Sequence, residues 1–242
     1  MEDGDLKRSQ NSTKLLSNMD LGLMRFTLLP LCAICPLFAQ SQFYAGALTG
    51  IATLSADART SIGSTDAGAS SYKPANGPIL NLFGGAHLND YLSLQANFTG
   101  NRNDLVLSSF RGADFAYEQR RRSSQIGFSG DIALYFRDRR SWVRPFLSAG
   151  VGGARFKSES VELTYLRGAI TPPPNEISDT MVQFRTAVGI DAAIKRGWAF
   201  RYSFVESIQK NPISSRLSPA GQRNLASFQN LFGFVKTFKP SR

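Results

Sequence analysis

The sequence predicts an all-β fold: an eight-stranded antiparallel up-and-down transmembrane β-barrel behind an N-terminal signal peptide. Three observations predict it. First, Ser124–Phe156 reads as two long strands about the turn Asp138-Arg139-Arg140-Ser141. Ile126, Phe128, Ile132, Leu134 and Phe136 share one face and Gln125, Ser129, Asp131 and Tyr135 the other, and period-two alternation of that length is a strand long enough to cross a bilayer at a tilt. Second, tight and long connections alternate along the chain. Third, no window holds eighteen consecutive apolar residues, so helical spans are not expected. A length of 242 residues, 42% hydrophobic with 21 glycines and a net charge of +10, suits one domain plus a leader.

Residues 1–39 form the leader. Arg25 precedes the apolar stretch Phe26–Ala39, and cleavage is expected after Ala39. Initiation at Met19 or Met24 instead of Met1 would shorten the polar segment before it, and Met24 would leave a conventional signal. Cys32 and Cys35 both lie in this stretch, and neither follows the small residue that lipid anchoring requires. The remaining chain, 40–242, contains no cysteine, which excludes disulfide and thiol chemistry.

Eight strands are expected, at about 43–56, 79–88, 91–100, 124–136, 142–156, 180–194, 198–207 and 225–238. On the first, Tyr44, Gly46, Leu48, Gly50, Ala52 and Leu54 are the more apolar set and are assigned to lipid. Residues 57–78 read as a loop from their Ser, Ala, Gly, Asp and Pro content. Asn89-Asp90 joins the next hairpin; Leu80 and Leu82 face outward there, with Asn81 and His87 inward. Residues 101–123 are a polar connection whose ends can continue the flanking strands. On the central hairpin Asp131 and Arg144 point inward. Residues 157–179 form another connection, interrupted by Pro172-Pro173-Pro174. The third hairpin turns at Lys195-Arg196-Gly197 and carries Arg185, Asp191 and Arg201 inward. A last connection, 208–224, leads to a closing strand with Phe228, Phe232, Phe234 and Phe238 on one parity.

The three tight connections span about two to four residues and the four long ones about sixteen to twenty-three. Outer-membrane barrels have this asymmetry, with short periplasmic turns and long outer loops. Closure removes strand edges and satisfies the backbone in hydrocarbon. A soluble secreted sandwich would leave the alternation unexplained. Symmetric turns would place Asp191 opposite Arg201, Tyr135 opposite Arg144 and Asp131 opposite Ser148. The polar lumen candidates are Asn81, His87, Asp131, Arg144, Arg185, Asp191 and Arg201. Their charges suggest a plugged interior, since a buried ion needs a partner. Tyr44, Tyr91, Trp142, Trp198 and Phe238 lie near the short-turn ends, where an aromatic girdle is expected.

The sequence resembles the small outer-membrane β-barrel proteins of Gram-negative bacteria, the OmpA membrane-domain and opacity-type superfamily. The likeness runs from about Gln42 to Phe238. It is carried by the signal peptide, the opening Phe43-Tyr44-Ala45-Gly46, the Arg144-Pro145-Phe146 ahead of a glycine-rich strand, and the aromatic terminal strand. The resemblance implies an outer-membrane location, contact with outer-membrane lipid and lipopolysaccharide, and passage through periplasmic chaperones to the barrel-assembly machinery. Phe238 matches the terminal assembly signal, although Lys239-Pro240-Ser241-Arg242 follow it. The expected role is structural or surface-interacting, with long external loops carrying any specificity; a narrow porin-like channel for small ionic or apolar solutes is the alternative. No cofactor, metal or nucleic-acid partner is expected. His87 is the single histidine, without ligand spacing around it, and is expected to be satisfied by a hydrogen bond. No serine-and-histidine pair suggests catalysis. The basic clusters Arg120-Arg121-Arg122 and Arg137, Arg139 and Arg140 are expected to meet anionic headgroups.

Overall fold

A computed structural model describes residues 42–62, 67–111, 114–165 and 170–238. The expected leader with its cysteines, the expected cleavage site and residues 239–242 lie outside them. The chain forms ten strands: β1 (Gln42–Leu54), β2 (Asp57–Ile62), β3 (Ala67–Pro74), β4 (Gly77–His87), β5 (Leu92–Arg111), β6 (Asp114–Tyr135), β7 (Val143–Tyr165), β8 (Glu176–Ala193), β9 (Trp198–Lys210) and β10 (Asn224–Thr237). One 3-10 turn, Ser214–Arg216, is the sole helical element among the described residues. All pairings are antiparallel: β1 with β4 and β10, β5 with β4 and β6, and then β6–β7, β7–β8, β8–β9 and β9–β10 in succession.

The count of ten corrects the expected eight. The segment 57–78, read as a loop, holds β2 and β3, whose hairpin adds to the outer part of β5. Small polar residues build it: Ser71 and Ser108 hydroxyls meet at 2.7 Å, and Ser70 donates to the Pro219 carbonyl at 2.6 Å. The expected connections 101–123 and 157–179 are also largely strand, as β5, β6, β7 and β8 run well past the predicted ends.

The short turns are set by side chains. Asn89 Oδ1 accepts the amides of Tyr91 and Leu92 at 2.8 and 2.7 Å. Asp138 Oδ1 accepts the Ser141 amide and hydroxyl at 3.0 and 2.7 Å. Arg196 and Gly197 take φ of 55° and 78°, the left-handed pair that a tight hairpin turn needs. The third turn keeps the symmetric register, and Asp191 stands opposite Arg201. The middle one does not: Tyr135 stands opposite Phe146 and Asp131 opposite Gly150, because the chain loops around the Asp138 carboxylate.

β1 faces the other way from expectation. Tyr44, Leu48, Ala52 and Leu54 are buried inside, while Phe43 and Ile51 are exposed. Tyr44 therefore leaves the girdle. Its ring packs on Phe83 and His87, with centroids 6.2 and 4.7 Å away, and its hydroxyl meets the Ser93 hydroxyl at 3.1 Å. A tyrosine reconciles a polar interior with aromatic packing, and apolarity alone could not choose the face.

Candidate functional site

The inward residues form two regions. Near the short turns the interior is polar. Arg201 donates to Asp191 from Nε at 2.6 Å and from Nη2 at 2.7 Å, to the Tyr135 hydroxyl at 2.7 Å and to Gln95 Oε1 at 2.9 Å. Its guanidinium lies over the Phe146 and Phe83 rings, 4.6 and 4.8 Å from their centroids. Bidentate pairing, further hydrogen bonds and aromatic packing together meet the needs of a buried guanidinium. Arg144 stacks on Tyr135 at 3.9 Å and donates to the Asp90 carbonyl at 2.9 Å. These groups surround a cavity of about 190 Å³ at the turn end, lined also by Tyr44 and His87.

One tier further in, Arg185 Nη1 lies 3.6 Å from Asp131 Oδ2, and the Ser129 hydroxyl donates to Asp131 Oδ1 at 3.0 Å. A Cβ on Gly150 would collide with the Asp131 carboxylate, so glycine makes room for this pair. Gln125 and Gln209 then exchange amide hydrogen bonds of 3.0 and 3.1 Å across the interior.

The sequence-predicted residues Asn81, His87, Asp131, Arg144, Arg185, Asp191 and Arg201 are all buried inside. Two pairs form among them, Asp191–Arg201 and Asp131–Arg185. Arg144 joins the first pair through Tyr135. Asn81 keeps a buried Oδ1 without a partner. His87 Nδ1 also has none; the ring packs on Tyr44 and Tyr135, at 4.7 and 5.5 Å, in place of the expected hydrogen bond. Sequence reasoning missed Tyr44, Tyr135, Gln95, Phe83 and Phe146 as members of the Arg201 shell. The glycine at position 46, over which the Phe83 ring lies, was the available signal that the neighbouring Tyr44 points the same way.

Beyond the glutamines the interior turns apolar. Leu54, Tyr72, Leu105, Leu107, Phe156 and Leu225 belong to one buried cluster. Arg121 sits beside it, fully buried, with no carboxylate. It donates to the carbonyls of Pro174, Asn175 and Ser158 at 2.8, 3.0 and 2.9 Å, and thereby ties down the triproline segment. Of the expected headgroup cluster, Arg121 thus points inward; Arg120 approaches Glu162 at 3.7 Å, and Arg122 stands across from Asp104 and Glu159.

On the outward face, Tyr91, Trp142, Trp198 and Phe238 are exposed near the short turns, together with Phe43 and Phe136. Between them and the far strand ends lies a belt of exposed apolar side chains, among them Leu82, Phe98, Phe128, Ile132, Val151, Val188 and Phe232.

The family model of the outer membrane protein beta-barrel domain matches residues 26–221. Among solved structures, the chain is similar to Neisserial surface protein A, with 17% identity, 81% of this chain and 97% of that one covered, and a TM-score of 0.47. It is similar to OprG of Pseudomonas aeruginosa, with 11% identity, coverage of 83% and 97%, and a TM-score of 0.45. It is also similar to the outer membrane protease OmpT of Escherichia coli, with 10% identity, coverage of 83% and 98%, and a TM-score of 0.49. No curated protein matches the chain.

Proposed function

Since the chain belongs to the outer membrane protein beta-barrel domain family and lies in the outer membrane of a Gram-negative bacterium, we propose that it is a closed eight-stranded barrel without a conducting pore, and that its role is structural and surface-interacting. The registers support closure. Stepping across the sheet, Phe43 leads to Ala86, Leu94, Ile132, Ala149, Thr186, Glu206 and Phe228, and back to β1 at Thr53, ten residues on. For eight strands that stagger corresponds to a tilt of about 40°. β2 and β3 stand outside the ring, as an outer hairpin on β5.

The observation that carries the non-conducting reading is the stack across the interior. The Arg201–Asp191 pair, the Arg185–Asp131 pair and the glutamine pair occupy successive tiers, and an apolar cluster follows them. An eight-stranded interior is just wide enough for its own side chains. The tall outer parts of β5, β6 and β7, with the β2–β3 hairpin, would then carry any recognition of external partners. Phe238, exposed and hydrogen-bonded through its amide to the Phe43 carbonyl at 2.8 Å, would serve barrel assembly. Catalysis has no part in this reading, because His87, the one histidine available as a base, packs between aromatic rings.

A narrow channel is the second reading. It is favoured by buried, unpaired polar atoms along the interior, Asn81 Oδ1, Asn97 Nδ2, Arg185 Nε and Gln229 Oε1, which suit internal water. Single-channel recording of the refolded protein in a planar bilayer separates the two. A folded, inserted protein without conductance steps is expected. Reproducible steps that change on Arg185→Gln would overturn the closed reading and install the channel.

A further inference from the structure

Above the apolar belt, on the side of the long connections, three exposed cations share one outward patch: Arg102 on β5 and Arg155 and Lys157 on β7. Ser124 of β6 lies between Arg102 and Lys157 in register, and Ile126 lies between Gly100 and Arg155. Directly opposed residues on neighbouring strands stand about 5 Å apart, so the three charges surround a patch two strands wide. Their next neighbours on β8 are the uncharged Thr180 and Ser178. The nearby acids Asp104 and Glu159 stand across from Arg122, one step higher. Among the described residues none of the three cations forms an ion pair.

Immediately below this patch is a groove of about 390 Å³ in the outward wall, lined by Pro78, Leu80, Gly100 and Ile126, with Arg102 and Ser124 at its upper end. Gly100 forms an open floor: a Cβ built there meets nothing within 4 Å. An apolar furrow in the hydrocarbon layer, capped by unneutralised cations at headgroup level, has the polarity of an acylated phosphate lipid lying along the strands. Three cations exceed what one phosphate needs and suit two phosphates on a sugar.

We propose that this furrow and the Arg102, Arg155 and Lys157 patch form a binding site for one phosphorylated, multiply acylated glycolipid of the outer leaflet, the lipid A end of lipopolysaccharide. The site rests on the outer-membrane placement and not on whether the interior conducts, so conductance steps would leave it standing.

The test is titration of the refolded protein, in nanodiscs of zwitterionic phospholipid, with lipid A, monophosphoryl lipid A and phosphatidylglycerol, read by native mass spectrometry. Lipid A should be retained best and the monophosphoryl form less. The triple variant Arg102→Gln/Arg155→Gln/Lys157→Gln should lose about a hundredfold in lipid A affinity. Gly100→Leu, which fills the floor and leaves every charge in place, should lower retention of both lipid A forms. Arg120→Gln, already beside Glu162, should change little. Heat-modifiable gel migration verifies folding, and Lys157→Glu alone replaces the triple variant if that fails to fold. Equal binding by the charge variants and the wild type, or phosphatidylglycerol bound as tightly as lipid A, would overturn the site.

Discussion

The strands of this protein turn inside out along their length. Near the short turns β6 carries Phe128 and Ile132 outside and Ser129 and Asp131 inside; further along it carries Arg122 and Arg120 outside, and β5 beside it buries Leu105 and Leu107. β8 repeats the change, from Val188 outside and Arg185 inside to Ser178 outside and Ile177 inside. One half resembles a membrane protein, apolar without and polar within. The other resembles a small soluble sandwich, with its own apolar core. On β5 to β8 the mutual pairing continues through the boundary, with register shifts only further out, at Ser109/Phe110 and Arg120/Arg121, and the solvent changes. Sheet geometry is thus indifferent to which face is oily, and the surroundings alone decide it.

The largest effect should come from the polar half. Asp191→Ala leaves Arg201 buried without its carboxylate and should cost about 3–5 kcal/mol, measured by urea unfolding in micelles; Asp191→Leu/Arg201→Met together should recover most of it. In the other half Leu107, 0% exposed, should cost about 2–5 kcal/mol on truncation to Ala. Protease should then cut the outer strands while the membrane part keeps its heat-modifiable migration. Simultaneous loss of both halves would show a single cooperative unit and break the distinction. Ile132 and Val161 are 56% and 62% exposed, yet face different solvents. Ile132→Lys should destabilise by about 2–4 kcal/mol and Val161→Lys by roughly 0.5 kcal/mol or less; equal costs would place both in the same medium. The smallest effect lies at the turn. The Ser141 hydroxyl, followed by backbone amides, holds the Asp138 carboxyl below its usual range. A depressed carboxylate contributes above its unfolded value of about 3.9 and loses that contribution as pH falls through the lower folded value. The protection of the Ser141 amide, its exchange rate taken relative to the intrinsic rate at each pH, should fall on acidification, and Asp138→Asn should remove that dependence.

This inversion also explains what could be read from the sequence. Hairpins were legible where lipid and lumen impose opposite tastes on alternate residues, as on Leu92–Phe98 and Val182–Ile190. The Asp191–Arg201 pair followed because a three-residue turn left no slack in its register. The outer parts of β5–β8 read as connections because their outward residues are Arg, Glu, Lys and Ser, which resemble loop composition unless the inward parity is followed separately. Arg121 reads as a surface charge with its two neighbours, since a charge satisfied by backbone carbonyls has no partner visible in sequence. On β1 both faces are built of small residues, and Tyr44 weighs as apolar until its hydroxyl finds Ser93.

The strands also end at unequal heights. β7 continues to Tyr165 and β6 begins at Asp114, whereas β1 stops at Leu54 and β4 starts only at Gly77. With about 3.3 Å per residue and a tilt of about 40°, the tall side stands roughly 25 Å above the low one. In the closed barrel proposed above, the rim would have a front and a back. If the long connections face outward as proposed, the tall side would be what an external macromolecule meets first, and the low side would be sheltered by the carbohydrate around it. On that reading, contact with the outside would concentrate on residues 105–111, 116–120 and 157–165.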